Sequence, residues 1–298
     1  MKRRIQSLSP ELFPLCRDFL RDREYCCVSL MAAFMEFQPA HFPRSQRNSF
    51  AILTAEPQSG SPVIEGVLHL TPGGTLLHLL DLSALEGDYI EPLFAWLRHK
   101  RVFSILGTAT ETSFLEALIA RDISRTVEYD LMTLDRVPPK EAAVLPTLSA
   151  NRKHAGSGHG IRRVHPADAE MLLPLQMGYE REEVLAPGCY PDEQRCLSVF
   201  KLALARQVVF AAFYGDIPVA KAGTNACGIH WDQLGGIYTK PELRANGIAS
   251  ALVAHVVHNR IENGKKVVLF VKKDNISAQK AYTKNGFMVR SPFRIAYY

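Results

Sequence analysis

Long apolar runs are the first thing this 298-residue sequence lacks. No stretch approaches the roughly 20 consecutive apolar residues that a helix needs to cross a lipid core, so no membrane span is expected. The core of a signal peptide is missing as well. The basic opening Met1-Lys2-Arg3-Arg4 is followed by Ser7, Ser9, Pro10 and Glu11 before any hydrophobic segment forms, and the expectation is a cytoplasmic protein. An excess of one charge sign is also absent: the net charge of +5 is small for the length, with acidic residues interspersed among the basic ones. Nucleic-acid binding is therefore not expected. The six cysteines form no C-x-x-C pair and have no histidine at a metal-ligand spacing, so they read as reduced structural thiols. His255 and His258 lie three apart without a third partner and with Arg260 close by, and no metal site is read there.

What is present is an ordinary globular chain, 47% apolar and 22% charged, long enough for two domains of about 150 residues. Helical periodicity runs from Pro10 to Phe37 in two helices. Strand-like runs follow at Ser49–Thr54, Val63–Leu70 and Leu76–Leu80, separated by Gly60-Ser61-Pro62 and Pro72-Gly73-Gly74, which are turn chemistry. A helix around Tyr89–His99, a strand at Val102–Leu106, a helix around Glu111–Ala120 and a strand at Thr126–Leu134 complete the first part. Val137-Pro138-Pro139, Pro146 and Ala155-Gly156-Ser157-Gly158 mark a linker. The division expected is residues 1–135, a linker over 136–159, and residues 160–298.

The second part opens with a strand at Gly160–Val164. A helix from Pro166 to about Glu183 and another over Asp192–Arg206 follow, then strands Val208–Tyr214 and Ile217–Thr224 joined by Gly215-Asp216, a two-residue hairpin signal. Next comes an apolar strand, Leu234-Gly235-Gly236-Ile237-Tyr238-Thr239, stopped by Pro241. The turn Arg244-Ala245-Asn246-Gly247-Ile248-Ala249 leads into a helix. Both halves thus read as helices, a hairpin of strands, then α, β, α, β, the pattern of a tandem duplication. A helix start after a strand is an anion site, because its first amides lack intrahelical partners and the peptide dipoles leave positive charge there. Gly247 and Ala249 would let a pyrophosphate reach those amides, with Arg244 as a charged donor. The matching stretch of the first half, Leu80–Gly87, carries Asp81 and Glu86, which would repel a phosphate. That half reads as degenerate, without a cofactor of its own.

Beyond the helix, the strand Val267–Val271 is followed by Asn275-Ile276-Ser277-Ala278-Gln279-Lys280-Ala281-Tyr282-Thr283-Lys284-Asn285-Gly286-Phe287, a helix with Asn as its opening cap and Gly as its stop. Arg-x-x-Gly-x-Ala after a strand, then Asn-x-x-Ala-x-x-Ala-Tyr-x-x-x-Gly-Phe about thirty residues on, resembles the acyl-coenzyme A site of the GNAT N-acetyltransferase superfamily. The motif-bearing match spans Gly160 to Tyr298, and the element order is similar to tandem GNAT enzymes such as mycothiol synthase. The resemblance implies a mixed-sheet α/β fold of two GNAT-like lobes, the first degenerate.

It also implies roles for particular residues. Ile237, Tyr238 and Thr239 would hold the pantetheine arm between two splayed strands, and Arg244, Ala245, Asn246, Gly247, Ile248, Ala249 and Ser250 would hold the pyrophosphate. Asn275 would contact pantetheine, Lys284 or Lys272 would reach the 3′-phosphate, and Tyr282 would be the general acid as well as a cofactor contact. The strand Leu234–Thr239 departs from family members that carry a glutamate there. Candidate bases are Glu182, Glu183 and Asp232, with Glu183 ranked first. The implied activity is transfer of an acetyl group from acetyl-coenzyme A to a primary amine in the cleft between lobes, by an acyl-coenzyme A-dependent N-acyltransferase. The acceptor stays open among small metabolite, antibiotic, peptide N-terminus and protein lysine. Two alternatives are an aminoacyl-tRNA-dependent Fem-like transferase and a non-catalytic acyl-coenzyme A sensor or partner-binding protein.

Overall fold

The computed structural model describes residues 2–37, 48–58, 60–85, 87–147, 159–186 and 188–298. The first half contains β1 (Lys2–Gln6), α1 (Phe13–Asp22), α2 (Val28–Met35), β2 (Phe50–Glu56), β3 (Val63–Leu70), β4 (Thr75–Leu80), α3 (Ile90–Leu97), β5 (Ser104–Thr108), α4 (Ala109–Ile119) and β6 (Arg125–Leu134). The second contains β7 (His159–Val164), α5 (Ala169–Tyr179), α6 (Glu193–Arg206), β8 (Val209–Tyr214), β9 (Ile217–Cys227), β10 (Trp231–Thr239), α7 (Ile248–Glu262), β11 (Lys266–Lys272), α8 (Ile276–Lys284) and β12 (Phe287–Tyr297). The halves repeat the same order. β1 is the strand that periodicity does not announce. It is polar and lies at the sheet edge, paired with β2 through its backbone, and Arg4 meets Glu56 at 3.0 Å.

The strands of the described residues form one twelve-stranded sheet in the order β1-β2-β3-β4-β5-β12-β6-β11-β10-β9-β8-β7. The middle of that order is not the order of the sequence. β6 belongs to the first half yet lies beside β11, and β12 belongs to the second yet lies beside β5. The two are antiparallel to each other from Phe287↔Leu134 to Tyr297↔Arg125. Each half has therefore exchanged its last strand with the other, and the sheet runs unbroken across the sequence division near residue 136. The segment after β6 is not a free tether: Leu145 is buried in the core against α7, and the Tyr214 hydroxyl donates to the Pro146 carbonyl. Ala155-Gly156-Ser157-Gly158 lies outside the described residues, as does Glu86.

Apolar burial places the helices. β8 is buried at every position, as befits a strand covered on both faces. α7 buries Ile248, Leu252, Val253, Val256 and Val257 against the second-half sheet, and this forms the largest core cluster there. α1 and α2 cover the first half, yet their cluster also takes in Ala226, Val268 and Phe293. One buried carboxylate joins the halves. Glu24, fully inaccessible, accepts from the backbone N–H groups of His230 and Trp231 at 2.9 and 3.1 Å, where β10 begins. Gly228 is required beside it, because a Cβ there would lie 2.1 Å from Glu24 Oε1. Glu24→Ala would take the shared acceptor from these two N–H groups and should lower unfolding stability by about 1–3 kcal/mol. Chemical denaturation is the check, and a loss below about 0.5 kcal/mol would remove the clamp role.

Candidate active site

The site begins with a failure of pairing. β10 and β11 are parallel and in register from Trp231↔Lys266 to Leu234↔Leu269, and beyond Leu234 they part. On its other side β10 stays on β9, through register shifts that leave one extra residue between Gly235 and Tyr238. This is a β-bulge, with Gly236 at φ +61° in the left-handed region that suits glycine. Gly235 has its own reason: a Cβ there would lie 1.9 Å from the Asn225 amide. Thr239 Oγ1 is buried beside this gap and has no hydrogen-bond partner among the described residues.

At the end of β10 the chain turns into α7. Ala245 and Gly247 both have positive φ, +61° and +79°, and Gly247 is the N-cap. Among the described residues no side chain caps the helix, and the first intrahelical bond runs from Ala251 N–H to the Gly247 carbonyl. The amides of Ile248, Ala249 and Ser250 are thus left without intrahelical partners, and the first turn of the helix carries no acidic residue. Arg244 lies across this mouth. Its Nε donates to the Thr239 carbonyl at 3.1 Å and its Nη2 to Glu182 at 2.7 Å, while Glu182 also accepts from the Tyr238 hydroxyl at 3.1 Å.

A cavity of about 300 Å³ fills the space between the splayed strand, this turn and α8. Every residue named above for cofactor contact or catalysis lines it except Asn246, Asp232, Lys272 and Lys284. The Asn246 amide folds back onto the carbonyls of Leu243 and Arg244 at 2.9 and 2.8 Å, so it braces the turn from behind. Asn275 caps α8, its carbonyl accepting from Ala278 N–H at 3.0 Å. A second cavity, about 320 Å³, opens on the opposite side of the gap. Glu183, Ile237, Asn275, Ala278 and Tyr282 border both, which makes the two cavities neighbours through one wall.

Three sequence candidates are placed elsewhere. Asp232 is fully buried and bound to Arg260 at 2.7 Å, lining neither cavity, so it is no base for this site. Lys272 lies in the second cavity, paired with Glu183 at 2.8 Å, away from the phosphate turn. Lys284 lines neither. The expected helix to Glu183 ends as an α-helix at Tyr179, and Glu180–Val184 continue as a single π turn, a local widening that recurs at functional sites. This turn sets Glu182 toward the first cavity and Glu183 at the wall between the two.

Several residues at the site are ones that motif reading passed over. Asn285, buried, donates to Ser250 Oγ at 2.9 Å and so ties the end of α8 to the phosphate turn. Tyr129, Ile295 and Tyr297, from the exchanged strands, wall the second cavity. Lys221 stands under the bulge. Its signal was available in the sequence, a lone lysine inside the otherwise apolar Ile217-Pro-Val-Ala-Lys-Ala-Gly.

Residues 175–287 match the model of the Acetyltransferase (GNAT) family. The match covers the part of the chain that carries the splayed strand, the turn into α7 and α8. Acyl transfer is the chemistry of that family. No curated protein matches the chain. Among solved structures, a GNAT-family acetyltransferase from Colwellia psychrerythraea is 13% identical over 100% of both chains, with a TM-score of 0.56. A GCN5-related N-acetyltransferase from Sphaerobacter thermophilus is 14% identical over 99% of this chain and 94% of its own, with a TM-score of 0.58. A tandem GNAT protein from the clavulanic acid biosynthesis pathway is 12% identical over 99% and 98%, with a TM-score of 0.57. The likeness is one of fold, and it extends over both GNAT-like lobes.

The first lobe has the same splay and has closed it. β4 and β5 pair only from Thr75↔Ser104 to Leu77↔Leu106. Beyond that, Glu111 accepts from Leu80 N–H at 2.9 Å and contacts His78 and Arg23, each at 3.3 Å, and Arg23 donates to the Leu80 carbonyl at 2.6 Å. Side chains fill the space that the second lobe keeps open. In the second lobe the Tyr282 phenol is pushed above its ordinary value near 10.0 by burial first, then by the negative charge of Glu183 and by Tyr179. Tyr282 therefore stays protonated through neutral and moderately alkaline pH. Ultraviolet difference titration of wild type against Tyr282→Phe should show no phenolate lost by the substitution below about pH 10; a missing transition nearer neutrality would contradict the geometry.

Proposed function

We propose that the second lobe binds an acyl-coenzyme A thioester, acetyl-coenzyme A in the simplest case, and transfers its acyl group to a primary amine. The observation that carries this reading is the pair of cavities meeting at Glu183, Ile237 and Tyr282, one ending on an uncapped helix start. The residues fit such a donor. An unpaired strand edge and the unpartnered Thr239 hydroxyl suit an amide-bearing arm, and the amides of Ile248–Ser250 with Arg244 suit a pyrophosphate. When bound, the donor supplies an activated acyl carbon and a thiolate leaving group.

The chain's own residues supply position and protons. The amine nitrogen forms a bond to the acyl carbon as the carbon–sulfur bond breaks; Glu183 takes the proton that the amine gives up, directly or through water, and Tyr282 gives its phenolic proton to the departing sulfur. Solvent then restores both groups. Holding the partners in adjoining cavities supplies much of the rate, since no covalent enzyme nucleophile is required. An alkylamine at pKa about 10.4 is neutral only about once in 2500 molecules at pH 7. The Lys272 ammonium, 2.8 Å from Glu183, disfavours a second cation there and so favours the neutral amine. The second cavity is lined by Leu106, Tyr129, Val184, Phe270, Ile295 and Tyr297, which suits an amine with an aromatic or branched aliphatic body.

Calorimetric titration of acetyl-coenzyme A and free coenzyme A tests the reading. One site per wild-type chain is expected. Ala249→Glu should weaken binding at least tenfold while its helix stays folded, because a carboxylate in a helix's first turn suits the dipole but repels phosphate. Absence of binding to wild type would end the acyl-transfer reading. Tyr282→Phe and Glu183→Gln should each lower turnover at least tenfold with coenzyme A affinity within about twofold of wild type, and turnover equal to wild type would remove that residue's role.

A further inference from the structure

Lys221 sits in the middle of β9, 3% exposed. Its Nζ donates to the Gly236 carbonyl at 2.7 Å and stands over the rings of Tyr179 and Phe200, 4.5 and 5.8 Å from their centroids. Among the described residues it forms no salt bridge. The charged and titratable groups that act on it are Glu180, on the π turn, and Cys196, on α6, whose thiol itself donates to Glu180 Oε1 at 3.3 Å. Burial depresses the ammonium from 10.5 to about 7, with Glu180 opposing. The charge is therefore about half present at neutrality, full well below it and lost well above it.

A buried cation with a single backbone carbonyl beneath it is an expensive arrangement, and its direction has a consequence. The peptide joining Gly236 to Ile237 is planar and trans, so its C=O and N–H point in opposite directions. With the carbonyl facing Lys221 on β9, the Ile237 N–H faces away from β9, toward the side where β10 has lost β11 and where Ile237 borders both cavities. A positive charge on the carbonyl oxygen draws electron density through the peptide and makes that N–H a stronger donor.

We infer that Lys221 is a positioning residue for acyl transfer: its ammonium fixes the Gly236–Ile237 bulge and strengthens the Ile237 N–H, which stabilises negative charge growing on the acyl carbonyl oxygen. The inference rests on the acyl-transfer reading above. Lys221 is too deeply buried to touch substrate, so it acts through the peptide alone.

The first test needs no turnover. In isotope-labelled, ligand-free protein the Ile237 amide resonance should move with a single midpoint near pH 7, and in Lys221→Met it should be independent of pH between about 5.5 and 9. Kinetically, Lys221→Met should lower kcat at least tenfold with coenzyme A affinity within about twofold, and wild-type kcat should fall above the same midpoint that the amide shows. An Ile237 resonance in wild type that does not titrate would overturn the inference, as would a variant with unchanged kcat. Should Lys221→Met not fold, the wild-type titration decides by itself. The failures are separable: active wild type with an active variant sinks the lysine's role, whereas wild type that binds no coenzyme A sinks the acyl-transfer reading and this inference with it.

Discussion

One shortfall in hydrogen bonding governs the site: β10 gives up its partner after Leu234. A backbone edge inside a protein cannot be left without partners, because each buried unpaired group costs about 1–3 kcal/mol. On the side of β9 the debt is met by the bulge, with Lys221 on the Gly236 carbonyl. On the side of β11 it is left open, and a ligand with amides of its own is the natural completion. The turn into α7, the π turn bearing Glu182 and Glu183, and the cap of α8 all stand around that one opening.

The first lobe shows the same constraint answered differently. There the strands part after Leu77 and Leu106, and Glu111 meets the amide of Leu80 while Arg23 meets its carbonyl. His78 occupies the gap so closely that a Cβ on Gly107 would lie 2.2 Å from its ring. An internal carboxylate and a guanidinium have taken the place of an exchangeable guest. The side chains of Tyr129, Ile295 and Tyr297 show what the lobe retained, a share in the wall of the second cavity.

Much of this was legible in the residues because it is local. Strand, turn and helix around Arg244–Ser250 follow from Pro241, Gly247 and the apolar spacing, and Asn275 and Gly286 mark the ends of their helix by capping chemistry. Gly286 is held at φ +86°, with the Arg136 carbonyl too close for any Cβ. What could not be read is non-local. The exchange of β6 and β12 depends on pairings between residues far apart in the chain, and both strands carry the same kind of pattern whichever neighbour they take. The polar β1 has no apolar alternation to announce it, and the engagement of Asp232 with Arg260 and of Lys272 with Glu183 depends on three-dimensional proximity alone.

The exchanged strands also bear on how the chain is made. As the chain is made, β5 has its parallel neighbour β4 but must wait for its antiparallel one, since β12 begins only at Phe287, and β6 must wait for β11 at Lys266. Pairings of such long sequence separation are slow to close, and unpaired strand edges attract other chains while they wait. The nascent first lobe is thus left with hydrogen-bonding edges unclosed until β11 and β12 have been made. Completion of β12, rather than of the first half, becomes the step at which that lobe acquires its sheet.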